Sequence, residues 1–150
     1  MRYVRLAYDV NSEKVAVERA ISLLNKVGVQ GRRVLVYTLY NFTETPDEFL
    51  SKVEDILGWG AACYPMRFQP LNTLKKDSYV SPKWTADRLE MVAKARRVIG
   101  YGGAFPPYEG LIKKFRNAAD FDEAFDLYPK GGSKGEDKFE LLRTSTMKLT

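Results

Sequence analysis

Residues 34–57 read VLVYTLYNFTETPDEFLSKVEDIL, and the fold class turns on them. Val34–Leu39 is an unbroken apolar run rich in β-branched and aromatic residues, the composition of a strand covered on both faces. Tyr40–Glu44 breaks the run, and Thr45-Pro46-Asp47-Glu48 opens a helix. The Thr45 hydroxyl can accept from the backbone three residues on, Pro46 suits the first helical position, and Glu48 can reach back to close a capping box. Phe49, Leu50, Val53, Ile56 and Leu57 then recur at helical spacing before Gly58 stops the helix. A strand therefore runs through a short loop into a capped helix. That loop, at the carboxyl end of a strand and the amino end of a helix, is either a plain connection or a ligand site.

The same unit recurs on both sides. Upstream, Tyr3–Tyr8 reads as a strand, and Glu13–Val27 as a helix with Val17, Ala20, Ile21, Leu24 and Val27 on one stripe, stopped by Gly28. Downstream, Ala61–Phe68 is a third apolar segment. Strand starts about thirty residues apart match the length of a βαβ unit, so three parallel βα units are expected. Gln69–Trp84 is a long aperiodic loop too apolar for simple disorder, and it is expected to pack. Thr85 can cap a further helix with Leu89, Val92, Ala93, Arg96 and Ile99 in its stripe. Gly100–Gly103 then reads as a helix stop, since a phosphate loop would come after a strand and end in Lys-Ser/Thr. A short helix over Tyr108–Arg116 and a helix start at Asp120 complete an α/β domain over 1–129. From Lys130 to Thr150 the chain reads as a charged, glycine-rich, flexible tail.

Composition narrows the chemistry. The 150 residues fit one domain able to bury a core without metal or disulfide staples. Histidine is absent and Cys63 is the single cysteine. Ser–His, Cys–His and His-metal chemistry, internal disulfides and multi-cysteine metal sites are thereby excluded from this chain. Cys63, inside a strand, is read as a buried, inert thiol. The charge of +5 permits a polyanionic partner, but no nucleic-acid motif accompanies it, so a solubilising surface is the default and nucleic acid is not the expected partner. The opening Met1-Arg2-Tyr3-Val4-Arg5 carries charge where a signal peptide needs apolar residues, and no apolar run reaches the ~20 residues of a membrane span, so a cytoplasmic protein without membrane attachment is expected.

If the three strands are parallel, their carboxyl ends gather Asp9, then Asn41, Phe42, Thr43 and Glu44, then Met66, Arg67 and Gln69. A carboxylate there can accept from ribose hydroxyls, a helix amino end offers N–H groups to an anion, and an arginine pairs with one. Each residue has a structural alternative: Asp9 can help cap the first helix, Glu44 can favour the amino end of the second, and Arg67 can face solvent or an acid.

Leu39-Tyr40-Asn41-Phe42-Thr43-Glu44-Thr45-Pro46-Asp47-Glu48-Phe49 resembles the fifth-strand segment of radical S-adenosylmethionine (radical SAM) iron–sulfur enzymes, where a strand, a Gly-Pro-Gly-Glu-Thr-like loop and an acidic helix start recur. Glu44, Thr45 and Phe49 fit, while Tyr40 and Thr43 stand where the family carries glycines. Residues 62–71, ACYPMRFQPL, and 97–105, RVIGYGGAF, resemble the segments after that strand in one uncharacterised branch of the family, and the likeness spans Arg2 to Phe125. It implies that the three strands are the fourth to sixth of a six-stranded (β/α) partial barrel, so that the chain is similar to the carboxyl-terminal half of such an enzyme. The family's CxxxCxxC motif, which holds a 4Fe–4S cluster that binds S-adenosylmethionine and cleaves it reductively to a 5′-deoxyadenosyl radical, is absent. By the resemblance, ribose and methionine contacts fall near Asp9 and Asn41–Glu44, and adenine contacts near Met66–Gln69. The cluster would belong to a parent or partner chain, and this chain alone would not be catalytic.

Three parallel strands closed by nothing leave two edges and an inner face exposed, here expected to carry Leu6, Val36 and Tyr64. The expected remedies are self-association into a homo-oligomer, pairing with a separate amino-terminal half, or cover from the Gln69–Trp84 loop and later helices. A basic α/β module binding a nucleotide or nucleic acid, and a plain interaction domain, are the alternatives to the radical SAM reading.

Overall fold

A computed structural model describes residues 3–72 and 78–127. Its core is a three-stranded parallel sheet in the order β1-β2-β3, formed by Val4–Ala7, Gly31–Tyr40 and Ala61–Arg67. Leu6 pairs with Val36 and Val36 with Cys63; Ala7 pairs with Tyr37 and Tyr37 with Tyr64. The expected parallel βα pattern is present. After β1 a 3-10 turn at Asn11–Glu13 leads into α1, Lys14–Lys26; α2, Pro46–Gly58, joins β2 to β3. Helices α3 (Ala86–Val98), α4 (Glu109–Asn117) and α5 (Phe121–Ala124) complete the order.

Local chemistry fixes α2 as its sequence dictates. Thr45 Oγ1 accepts from the Glu48 N–H at 3.1 Å and Glu48 Oε1 accepts from the Thr45 N–H at 2.9 Å, with Pro46 opening the helix. Thr45 backbone and side-chain hydrogen bonds hold the Glu48 carboxyl below its ordinary range. α1 ends at Lys26, one residue earlier than the stripe implies, which leaves Val27 exposed. In α3 the buried positions are Leu89, Val92 and Ala95, while Ala93 and Arg96 sit at the margin.

α2 packs on β2 and β3 and against α4 and α5. Between them lies an aromatic cluster: Phe49 meets Tyr40, Trp84, Phe121 and Phe125, and Phe105 meets Phe115 and Phe125. Each large ring buried in this cluster removes a large apolar area from water. In the segment after β3, Trp84 and Ser81 are buried and Tyr79 partly so, while Leu71 and Val80 are exposed, so the expectation that this loop packs holds only in part. Residues 73–77 and the tail from Lys130 lie outside the described residues.

Alternation along β2 assigns the two faces of the sheet. Val34, Val36, Thr38 and Tyr40 are buried against the helices, whereas Leu35, Tyr37 and Leu39 are only partly covered. The open face therefore carries Leu35, Tyr37, Leu39, Tyr64 and Met66. Of the three residues expected there, Tyr64 is on that face, but Val36 is fully buried on the other, and Leu6, its register partner, shares that side. A one-residue change of parity exchanges the faces, and a continuous apolar run gives no alternation from which to read it.

The edges of the sheet differ. Cys63 in β3 exchanges two backbone hydrogen bonds with Phe105, at 3.0 and 2.7 Å, in an antiparallel bridge that covers the outer edge. Among the described residues β1 has β2 as its sole partner strand. The Tyr8 N–H donates to the Tyr37 carbonyl, and backbone groups alternate along a strand, so those of Arg5 and Ala7 face the unpaired edge. Among the described residues no helix is long and apolar enough to cross a membrane.

Candidate functional site

At the carboxyl ends of the strands the anticipated polar residues do converge, and a lysine that sequence reasoning passed over binds two of them. Lys52, on α2, is buried. Its Nζ donates to the carbonyls of Asp9 at 2.7 Å and Leu39 at 3.3 Å and makes a 2.8 Å ion pair with Glu44 Oε1. Two backbone carbonyls take hydrogen bonds from the ammonium, and the Glu44 carboxylate beside it supplies the opposite charge. The Asp9 carboxylate accepts from the Leu39 N–H at 3.1 Å, so it ties the end of β1 to β2. The Asp9 N–H donates to Glu13, which favours the start of the first helical turn.

Asn41 forms a second knot. It has a φ of 64°, in the left-handed region that asparagine tolerates better than most residues. Its side-chain nitrogen donates to the carbonyls of Phe68 and Tyr79, and its oxygen accepts from the Ser81 N–H at 2.7 Å. Arg67 donates to the same Tyr79 carbonyl at 3.0 Å. The Ser81 hydroxyl donates to the Phe42 carbonyl, and the Trp84 indole to the Glu44 carbonyl. The Phe42 and Phe68 rings pack with centroids 4.6 Å apart. Segment 78–84 is thus fastened across the loop after β2.

These bonds decide what the cluster can do. Asp9, Asn41, Glu44 and Arg67 are committed to protein partners and brace the strand ends, chiefly on the helix side of the sheet. Gln69 is half-buried, Thr43 is exposed, and Met66 is 44% exposed on the open face beside Leu39. Thr43 and Met66 are the members of the set best placed to meet a ligand. A 4Fe–4S cluster does not fit: Cys63 is the single cysteine, it is buried, burial pushes its thiol pKa up, and the described residues contain no group of three metal-ligating side chains.

The opposite, amino-terminal end of the open face holds a cleft of about 540 Å³ bounded by Tyr3, Arg32, Arg33, Leu35, Tyr64 and Tyr101, among others. The Arg32 guanidinium lies 5.5 Å from the Tyr101 ring centroid and 5.8 Å from that of Tyr108; Arg96 lies 4.8 Å from that of Tyr64. Sequence reading missed this cleft because its residues come from four separated segments. No family model, curated protein or solved structure matches the chain.

Proposed function

We propose that this chain is the carboxyl-terminal half of a radical SAM-type partial barrel, not catalytic alone, which a chain carrying the three-cysteine motif completes through the β1 edge. The observation that carries this reading is the asymmetry of the sheet: helices cover one face, Phe105 covers the β3 edge, the other face is only partly covered, and among the described residues no strand pairs with the β1 edge. A fourth parallel strand laid along Arg5 and Ala7 would extend the sheet and remove its open β1 edge. In the assembled protein the cluster and S-adenosylmethionine would supply the one-electron chemistry. This chain would contribute Thr43, Met66 and the 66–69 segment as contacts and exclude water from its side of the cavity, with the Lys52 knot holding those strand ends in place.

The test begins with the reading frames flanking the coding sequence, in frame or adjacent, which are expected to encode a CxxxCxxC half. Mixed with this chain and reconstituted anaerobically, that half should form a stable complex that cleaves S-adenosylmethionine to 5′-deoxyadenosine. Absence of any such frame, or a three-cysteine half that is fully active without retaining this chain on size exclusion, overturns the proposal.

A further inference from the structure

We infer that the cleft at the amino end of the open face binds a nucleobase bearing a phosphate, presented by a free mononucleotide or by an unpaired nucleotide of a single strand. It lies at the end of the strands away from the S-adenosylmethionine contacts proposed above and rests on separate observations. Its volume of about 540 Å³ falls within the range typical of small-ligand sites.

Three properties define the ligand. First, Arg32 and Arg33 line the cleft, Arg33 also donating to the Gly28 carbonyl, and none of the described lining residues is acidic, in a chain of net charge +5, so an anion is favoured. Second, Tyr3 and Tyr101 stand on the rim 55% and 74% exposed, and exposed aromatic rings beside cationic side chains are the platform on which unpaired bases stack. Third, the rim is preorganised. Tyr101 and Ala104 exchange backbone hydrogen bonds at 2.7 and 3.2 Å across Gly102 and Gly103, whose φ values of 62° and 85° match a primed hairpin turn. The positive φ at Gly103 is what favours glycine there, and the Arg96 guanidinium that donates to its carbonyl lies 2.8 Å from where a Cβ would stand. The segment that reads as a helix stop is thus a rigid bracket presenting Tyr101, with Arg32 stacked against it. S-adenosylmethionine carries no phosphate and is not the ligand this charge selects.

The test is fluorescence anisotropy of the full chain with a short labelled oligouridylate, alone and annealed to oligoadenylate, alongside calorimetric titration with AMP and UMP. For a single strand, the oligouridylate binds more tightly than the duplex and its affinity falls with salt at a slope of about −0.7 per phosphate contacted. For a free mononucleotide, AMP or UMP gives a saturable heat. In whichever arm binds, Arg32→Glu and Tyr101→Ala each weaken affinity about fivefold or more, and Tyr101→Phe retains it. Arg19→Glu, the same charge change on exposed α1, leaves it unchanged. No binding in either arm, a duplex that binds as well as the strand, or an Arg19→Glu loss equal to that of Arg32→Glu overturns the inference.

Discussion

Lys52 Nζ lies 2.8 Å from Glu44 Oε1, with the ammonium buried beneath the ends of β1 and β2. The pair joins the first two βα units, because the same nitrogen also holds the carbonyls of Asp9 and Leu39. Removing one partner of a buried pair leaves the other charge uncompensated, so Lys52→Met should cost about 3–5 kcal/mol. Lys52→Met combined with Glu44→Gln should cost less than the sum of the two single changes, since both act on one interaction. Urea unfolding of the four proteins checks this, and strict additivity would count against the pair.

Thr38 is buried in the centre of β2 and its hydroxyl has no hydrogen-bond partner among the described residues. Thr38→Val keeps the β-branched shape and removes the unsatisfied group. It should leave stability unchanged or raise it by about 1 kcal/mol, read as an unchanged or higher urea midpoint at constant slope. A loss of stability would show that the hydroxyl has a partner.

Two carboxyls have depressed folded-state pKa values: Glu48 through its bonds to Thr45, and Asp122 through its hydrogen bond and charge interaction with Arg88. A depressed carboxyl contributes stability that is fully present above its ordinary value, 4.5 for Glu48 and 3.8 for Asp122, and is lost as pH falls through the lower folded value. The melting temperature should therefore decline over that acid window. Glu48→Gln with Asp122→Asn should flatten the decline, by a small amount because both groups are near the surface. An identical acid limb in the variant would contradict the assignment.

Cys63 is fully buried in β3, and burial pushes its thiol pKa up. It should resist iodoacetamide in the native protein and react fully in denaturant, as mass spectrometry of the intact chain would record. Modification under native conditions at a rate matching the denatured chain would mean that the Cys63–Phe105 edge opens readily.

The legible parts of the fold were those specified by neighbours in sequence. Thr45, Pro46 and Glu48 determine the start of α2 from four consecutive positions, and the Asp120 start of α5 uses the same three-residue offset, with the Asp120 side chain accepting from the Glu123 N–H. Face parity was not legible, because Val34–Leu39 is apolar throughout and the choice depends on which side the crossover helices take. Nor was the role of Lys52, although it left a trace: with Phe49, Val53 and Ile56 it lies on the apolar stripe of α2, where a lysine requires buried acceptors. The candidate residues lie at the carboxyl ends of the parallel strands, but sequence could not show that Asp9 and Asn41 spend their hydrogen bonds on the protein itself or that Glu44 faces Lys52. The arginine–tyrosine cleft left no local trace, since Tyr3, Arg32, Tyr64 and Tyr101 meet only after the chain has folded.

Hydrogen exchange at the backbone amides of Arg5 and Ala7 tests the half-barrel most directly, because these groups face the edge that a further strand would occupy. In the isolated chain they should exchange rapidly while those of Leu6 and Tyr8, directed at β2, are protected; adding a three-cysteine radical SAM half should protect all four. Amides of Arg5 and Ala7 that are already protected in the isolated monomer, or that keep exchanging with that half present in excess, would contradict completion through β1.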